Sequence, residues 1–167
     1  MEHATTNIVV SPLTKTAFAP FGDVIETSDA ERIAINQGFA SRYNELANID
    51  VSMENGAVNI SLFVADPRPL PIAIKLMERH PLGGQLFFPL QDKPWLVLVC
   101  TNPGDPLSYR AFSANGRQGV NYARNIWHHP LLVLEAGERF FVVDRKGPGA
   151  NLEERWLNES AWLYLKP

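Results

Sequence analysis

The stretch IAIKLMERHPLGGQLFFPL, residues 72 to 90, contains two apolar runs separated by a Pro-Leu-Gly-Gly segment. Residues 72 to 80 and 85 to 90 have the β-branched and aromatic composition of strands, whereas 81 to 84 has the composition of a turn. A four-residue loop between two strands predicts an antiparallel hairpin. This hairpin is the starting point for predicting both the fold and the site.

Polar side chains beside the loop fall on one face of the predicted hairpin. Because successive strand residues point to opposite faces, Glu78 and His80 share a face and Arg79 points away. The loop would place His80 opposite Gln85, and Glu78 opposite Phe87. Apolar residues of the same parity indicate that this face is the interior one, so three polar groups converge on a buried patch.

Two interpretations of this patch are open. Glu78, His80 and Gln85 can form a hydrogen-bonded network that satisfies buried polar groups. Alternatively, an imidazole beside a carboxylate is the combination that binds a divalent metal or transfers a proton.

Similar short runs continue along the chain and predict a mainly β protein. The candidate strands are residues 7 to 10, 22 to 27, 57 to 65, 72 to 80, 85 to 90, 95 to 100, 109 to 114, 119 to 123, 131 to 136, 140 to 145 and 161 to 166. Helix is a minor element, with one turn capped by Thr14 and another within residues 29 to 35. About eleven strands predict a single domain, residues 1 to 167, with a sandwich or a small barrel of jelly-roll type.

Two Asn-Gly pairs support antiparallel pairing of neighbouring strands. Asn55-Gly56 and Asn115-Gly116 each lie beside apolar runs. Asn and Gly tolerate positive φ, which tight hairpin turns require. We therefore expect a hairpin at each pair.

Composition excludes several classes of function. With 15 basic and 18 acidic residues and a net charge of -3, the chain has no basic stripe for nucleic acid. No window approaches the roughly 18 apolar residues of a membrane span, and the N-terminus lacks the pattern of a signal peptide. We expect a cytoplasmic protein whose single cysteine, Cys100, is a buried structural thiol.

A second polar segment, QGVNYARNIWHHPLL, spans residues 118 to 132. Adjacent His128 and His129 would point to opposite faces of a strand, so at most one of them joins the interior site. Tyr122 and Trp127 are candidate substrate-binding residues or ordinary core aromatics. Arg124 is a candidate for substrate binding or for a surface ion pair.

Asp144 and Arg145 lie at a strand end before a Gly-Pro-Gly turn. A local salt bridge between them that holds the turn is the favoured interpretation. Recognition of a substrate carboxylate by Arg145 is the second.

The order Glu78-x-His80-x4-Gln85, followed by Trp127-His128, resembles the paired motifs of the cupin superfamily. The first cupin motif is His-x-His followed by Glu, and the second motif supplies one more His. Glu78 stands at the position of the first His and Gln85 at that of the Glu. The resemblance implies that His128, rather than His129, is the fourth ligand position.

A closer resemblance, to the ureidoglycolate lyase family, covers almost the whole chain. It is carried by the segments PLTKTAFAPFGDVIE, INQGFASRY, SLFVADPRPLP, ERHPLGGQLFFPL, QGVNYARNIWHHPLL and VVDRKGPGANLEE. The resemblance implies a cupin-like antiparallel β-barrel, a homodimer, and cleavage of (S)-ureidoglycolate to glyoxylate and urea in allantoin and purine catabolism.

The reaction that this resemblance implies suggests roles for the candidate residues. His80 or His128 would be the base, and Glu78 would be the acid if burial raises its pKa. Glu78, His80 and His128 would also be the ligands of a divalent metal, and the resemblance is consistent with nickel. The substrate-binding candidates are Gln85, Tyr122, Arg124 and Trp127.

Two rival functions remain open at this point. A facial triad of two His and one carboxylate is also found in non-haem iron oxygenases, so a cupin-type oxygenase is the enzymatic rival. Replacement of the usual acidic ligand by Gln85 motivates a non-catalytic module that binds small acids or sugars.

Overall fold

The computed structural model of the protein describes residues 6–167 and confirms the mainly β prediction. The strands are β1 (Asn7–Ile8), β2 (Val10–Pro12), β3 (Gly22–Ile25), β4 (Arg32–Ile35), β5 (Ala40–Tyr43), β6 (Ala57–Ala65), β7 (Ile72–Ile74), β8 (Leu76–Arg79), β9 (Gln85–Pro89), β10 (Trp95–Cys100), β11 (Tyr109–Ala114), β12 (Gly119–Tyr122), β13 (Trp127–His128), β14 (Leu132–Val133), β15 (Glu138–Lys146), β16 (Glu153–Trp156) and β17 (Leu163–Leu165). Helix is limited to α1 (Lys15–Phe18) and the 3₁₀ turns Asn36–Gly38, Met53–Asn55, Pro106–Ser108 and Glu159–Ala161.

The strands form two large sheets that face each other. One has seven strands in the order β16-β8-β13-β10-β11-β2, with β14 also paired to β10, and the other has five in the order β3-β12-β9-β15-β6. A three-stranded sheet, β1-β17-β7, and a separate hairpin, β4-β5, complete the fold. Within residues 6–167 the two large sheets form a cupin-like sandwich and do not close into a barrel.

Strand β10 explains why the fold has two apolar cores. Its sequence WLVLVC is buried at every position. Trp95, Val97 and Val99 pack into the core between the two large sheets. Leu96, Leu98 and Cys100 pack into a second core, which also contains residues of β7 and β17. Because strand side chains alternate between faces, a continuous apolar run is what a strand between two cores requires.

The predicted hairpin of residues 72 to 90 is wrong. The first run is interrupted at Lys75, so that β7 pairs with β17 whereas β8 pairs with β13 and β16. Strand β9 belongs to the other large sheet, where it pairs with β12 and β15. The Pro-Leu-Gly-Gly segment therefore carries the chain from one sheet of the sandwich to the other.

Neither Asn-Gly pair forms the predicted hairpin. Asn115-Gly116 joins β11 of one sheet to β12 of the other, and neither residue has positive φ. Gly116 is needed instead for close approach, because a Cβ there would lie 2.2 Å from the backbone nitrogen of Lys93. Asn55 does have positive φ, but Gly56 has a φ of -68° and the turn leads into β6, which pairs with β15.

The two predicted helical turns have different outcomes. Thr14 caps α1 as expected, with its hydroxyl accepting a hydrogen bond from the Ala17 N–H at 3.1 Å. Residues 29 to 35 do not form a helix, because Arg32–Ile35 is strand β4 of the separate hairpin. Within residues 6–167, no helix has the length and apolar character that crossing a membrane requires.

The Cys100 thiol is buried, as predicted, at 1% exposure. Burial raises its pKa to about 12, so the reactive thiolate is scarce at neutral pH. The structure therefore gives Cys100 a packing role.

We expect Phe140→Ala to lower the free energy of unfolding by about 3–5 kcal/mol. Phe140 is fully buried between the large sheets and packs edge-on against Trp95 at a centroid distance of 4.9 Å. Phe39→Ala is the matched control, because Phe39 is 92% exposed and its loss should change stability by less than about 0.5 kcal/mol. Urea denaturation of both variants tests the assignment, which a comparable loss in both would contradict.

Candidate functional site

The sequence predicts three polar groups at one place, and the structure brings them together from both sheets. Glu78 on β8 pairs in register with His128 on β13 in the seven-stranded sheet. His80 follows directly after β8. Gln85 begins β9 of the five-stranded sheet, and its side chain reaches across so that Gln85 Oε1 lies 3.2 Å from His80 Nε2.

Glu78, His80 and His128 form a compact cluster. One possible ligand atom from each residue lies within 4.8 Å of those from the other two. His128 Nε2 lies 3.5 Å from Glu78 Oε1, and the centroids of the two imidazole rings are 5.2 Å apart. His128 is fully buried, whereas Glu78 and His80 are partly buried. The cluster is thus reached from the side of Glu78 and His80.

Backbone carbonyls determine which nitrogen of each imidazole carries a proton. His80 Nδ1 lies 2.8 Å from the carbonyl oxygen of Asn151, and His128 Nδ1 lies 2.9 Å from that of Ile126. A carbonyl can only accept, so both Nδ1 atoms must donate. In the neutral rings the lone pairs are therefore on Nε2, and His128 directs its Nε2 toward Glu78.

His128 is held rigidly by the core behind it. Its ring stacks on Tyr122, with a centroid distance of 4.2 Å and an interplanar angle of 10°. Tyr122 is itself buried, and burial together with the charge of Glu78 raises the pKa of its hydroxyl, which stays protonated. Tyr122 therefore supports a site residue from within the core.

The pKa of Glu78 is shifted in the direction opposite to the one that a role as an acid requires. Burial by itself raises the pKa of the carboxyl, but the contact with His128 and the charges of the neighbouring imidazoles lower it by more. The pKa of Glu78 lies below its usual value, and the group is a carboxylate at neutral pH. The condition under which Glu78 would act as an acid is not met.

Gln85 connects the cluster to side chains that sequence reasoning missed. Its Nε2 donates to Asp144 Oδ2 at 3.2 Å, and Asp144 Oδ1 accepts from Asn59 Nδ2 at 2.9 Å. Asn59 and Asp144 are a cross-strand pair of β6 and β15. No motif in the sequence marks this pair, because it depends on strands 85 residues apart.

Arg145 does not form the predicted salt bridge with Asp144. Its buried guanidinium donates to three backbone carbonyl oxygens, those of Met53 at 2.9 Å, Glu54 at 3.2 Å and Pro148 at 2.6 Å. The residue still holds the Gly-Pro-Gly turn, as predicted, but it does so through the backbone. Because these backbone contacts occupy the guanidinium, recognition of a substrate carboxylate by Arg145 is not supported.

Two of the substrate-binding candidates lie away from the cluster. Trp127 packs with the second core, and Arg79 lies over its ring at 4.5 Å, on the face opposite His128. Arg124 is partly exposed, forms an ion pair with Asp50 at 3.4 Å and contacts Met53. The structure therefore brings Gln85 and Tyr122 to the cluster, but neither Trp127 nor Arg124.

His129 is the adjacent imidazole, and it lies outside the cluster. Its Nδ1 lies 2.8 Å from the Pro130 carbonyl oxygen, and burial lowers its pKa to about 4. His129 is therefore a neutral buried side chain. The geometry brings His128, and not His129, into the cluster.

The cluster has the features of a site for a divalent cation. His128 Nε2 is buried and has no hydrogen-bond partner, although a buried polar atom normally has one. Hydrogen bonds from Nδ1 to backbone carbonyls are the usual support of metal-binding histidines. Two imidazole nitrogens and a carboxylate suit the divalent transition metals. These three side chains can therefore hold a metal ion.

A family model and several curated relatives that match this chain carry the same description, ureidoglycolate lyase. The family model described as ureidoglycolate lyase matches residues 5–164. A ureidoglycolate lyase of Burkholderia mallei (strain NCTC 10229) is 51% identical over 155 residues, which cover 92% of this chain and 91% of the relative. Ureidoglycolate lyase 1 of Rhizobium meliloti (strain 1021) is 51% identical over 90% of this chain and 89% of the relative. A ureidoglycolate lyase of Pseudomonas putida (strain W619) is 45% identical over 96% of this chain and 97% of the relative.

We expect the protein to bind one Ni²⁺ per chain in a calorimetric titration. His128→Ala should weaken binding by more than about 100-fold, because a ligand is lost rather than one of its supporting hydrogen bonds. His129→Gln is the control that alters the adjacent imidazole and should bind normally. A folded His128→Ala variant that binds Ni²⁺ as tightly as the unmodified protein would exclude this cluster as the cation site.

Proposed function

The chain belongs to the ureidoglycolate lyase family, and from this premise we propose that it cleaves ureidoglycolate to glyoxylate and urea at the cluster of Glu78, His80 and His128. The observation that supports this assignment is the convergence of two imidazoles, each with Nδ1 hydrogen-bonded to a backbone carbonyl, on one carboxylate in a partly buried site. The prediction of a carbon–nitrogen lyase agrees with the family.

The reaction needs only the movement of protons around one carbon. Ureidoglycolate carries a hydroxyl, a carboxylate and a ureido nitrogen on the same carbon. When the hydroxyl loses its proton, the C–O bond becomes a carbonyl, the C–N bond breaks and the departing nitrogen gains a proton. No nucleophile of the protein is consumed, which agrees with the unreactive environment of Cys100.

Each histidine acts through Nε2. Nδ1 of His80 and of His128 donates to a backbone carbonyl, so that the ring cannot turn without losing this hydrogen bond. His128 Nε2 is thereby held 3.5 Å from Glu78 Oε1, and His80 Nε2 is held 3.2 Å from Gln85 Oε1. Orientation is therefore established before substrate arrives, which is the main contribution that a rigid site makes.

Glu78, His80 and His128 would hold a divalent cation, for which nickel is our proposal. When bound, such an ion would attract the hydroxyl and carboxylate oxygens of the substrate and lower the pKa of the hydroxyl. In protein without the ion, the partly buried His80 Nε2 is the base available to the hydroxyl proton.

Gln85 is proposed to orient the ureido group. Its Nε2 donates to Asp144, and its Oε1 lies against His80 Nε2, so this oxygen faces the cluster and is available to accept from the substrate when His80 Nε2 carries no proton. The ureido group offers N–H donors and needs such an acceptor. Arg124 remains a candidate for the substrate carboxylate, although its ion pair with Asp50 must open first.

The rival functions differ in the reactants that they consume and the products that they release. A cupin-type oxygenase would consume oxygen, whereas the proposed lyase should release urea anaerobically at the same rate. A binding module would retain substrate without turnover. Ammonia in place of urea would indicate a hydrolase. A cytoplasmic location and the homodimer that the resemblance implies are also part of this proposal.

Glu78→Gln should lower kcat/KM for ureidoglycolate by about 10²-fold or more, because the carboxylate is lost from the reacting centre. Glu153→Gln makes the same chemical change on the outer face, where it removes only the exposed ion pair with Arg79, and should leave kcat/KM unchanged. Urea and glyoxylate are measured against spontaneous decay. Full activity in folded Glu78→Gln protein would place the reaction elsewhere.

Removal of the metal should abolish most of the activity, and Ni²⁺ should restore it. Purified protein is assayed before and after dialysis against a chelator, with metal analysis of both samples. Activity that is unchanged in metal-free protein would contradict the ligand role. In that case His80→Ala should still remove activity, because His80 Nε2 would then be the base.

A further inference from the structure

The buried amide of Gln85 turns its oxygen, and not its nitrogen, toward the cluster. The two ends of a glutamine amide have nearly the same shape, so hydrogen bonds alone decide which end points in which direction. Gln85 is 7% exposed, its Oε1 lies 3.2 Å from His80 Nε2, and its Nε2 lies 3.2 Å from Asp144 Oδ2. The amide therefore lies between an imidazole on one side and a carboxylate on the other.

This orientation is not the one that the imidazole favours. His80 Nδ1 donates to the carbonyl oxygen of Asn151, so the neutral ring presents a lone pair at Nε2. Gln85 Oε1 also presents lone pairs, so two acceptors face each other at 3.2 Å. The inverted amide would replace this contact by a hydrogen bond from the Gln85 N–H to His80 Nε2. Another residue must therefore hold the amide in the observed orientation.

Asp144 is placed to do this. A carboxylate has no hydrogen to donate, so only the nitrogen of the Gln85 amide can face Asp144 Oδ2. Inversion would lose this charge-assisted hydrogen bond, which is about twice as strong as a neutral one. The other carboxylate oxygen, Asp144 Oδ1, accepts from Asn59 Nδ2 at 2.9 Å, and Asn59 and Asp144 are cross-strand partners of β6 and β15. The carboxylate is thus held from the far side.

We propose that Asp144, itself held by Asn59, is a positioning residue that keeps the N–H groups of Gln85 away from His80 and so leaves the Nε2 lone pair of His80 free. The proposal rests on the proposed function only in the use that it gives to this lone pair. A lone pair that already accepts from Gln85 can neither take the hydroxyl proton of a substrate nor bind a cation. Both positioning residues act through the Gln85 amide.

Asp144→Asn should release the Gln85 amide. The new amide at position 144 can still accept from Asn59 with its oxygen, and its nitrogen can donate to Gln85 Oε1. The Gln85 N–H then turns to His80 Nε2. In metal-free protein, acylation of His80 by diethyl pyrocarbonate, which needs the free lone pair, should slow by about 5-fold, the factor that corresponds to one hydrogen bond. The affinity for Ni²⁺ should fall by a similar factor.

Exchange of the two side chains should restore the unmodified behaviour. In the double variant Asn59→Asp with Asp144→Asn, the new carboxylate at position 59 can only accept. The amide at position 144 must then donate to it and turn its oxygen toward Gln85, whose nitrogen donates as before. The net charge equals that of the unmodified protein. Asp92→Asn is the matched control, because it makes the same chemical change in an exposed ion pair with Arg117, and it should alter neither quantity.

The acylation rate is measured by mass spectrometry of the peptide that contains His80, and Ni²⁺ binding by calorimetry, with circular dichroism as the test of folding. An unchanged acylation rate and Ni²⁺ affinity in folded Asp144→Asn protein would overturn the proposal. So would a folded double variant that behaves like Asp144→Asn. Neither measurement needs turnover, so an unmodified protein that fails to cleave ureidoglycolate would contradict the proposed function alone.

A further measurement does not depend on the folding of any variant. An N–H···N hydrogen bond gives a nitrogen–nitrogen scalar coupling that nuclear magnetic resonance detects in ¹⁵N-labelled protein. In unmodified metal-free protein this coupling should be absent between Gln85 Nε2 and His80 Nε2, whereas Gln85 Nε2 should couple to the carboxyl carbon of Asp144. Folded Asp144→Asn should show the nitrogen–nitrogen coupling. Its presence in the unmodified protein would overturn the proposal.

Discussion

The site depends on how closely the Pro81–Gly84 segment can approach the rest of the sandwich. A Cβ on Gly83 would lie 2.7 Å from the Cβ of Arg145. A Cβ on Gly84 would lie 2.8 Å from the carbonyl oxygen of Tyr122, and the Gly84 N–H already donates to the carbonyl oxygen of Asp50 at 2.8 Å. Only hydrogen side chains fit at both positions. They allow the chain to cross between sheets within four residues, and they thereby bring an imidazole of one sheet beside an amide of the other.

This crossing explains why the sequence predicts the contact but not the connection. An acidic, an imidazole and an amide group on alternating positions around a short turn do meet, as the alternation of strand side chains implies. Local pattern cannot distinguish a hairpin from a crossing, because both begin with two apolar runs and a glycine turn. The interruption at Lys75 separates β7 from β8. Strand β7 pairs with β17, which lies nearly ninety residues further along the chain, so local pattern does not reveal it.

The partners that orient the site were beyond the reach of sequence reasoning for a related reason. The His80 ring is anchored by the backbone oxygen of Asn151, and every residue type has that atom. The sequence pairs Asp144 with its neighbour Arg145, whereas in the structure its carboxylate accepts from Gln85 and Asn59. Sequence reasoning identified the side chains that form the cluster, since their residue types are unusual in a β-rich interior. It missed the groups that hold them, since those depend on distant strands.

The burial of both faces of β10 has a consequence for how the protein unfolds. One face of the strand belongs to the core between the large sheets, and the other belongs to the core beneath the three-stranded sheet. Neither core can open without exposing this strand, so partial opening has no low-energy route through the centre of the molecule. The amides of Trp95–Cys100 should be among the last to exchange with solvent. Loss of the two cores should coincide in a single cooperative transition.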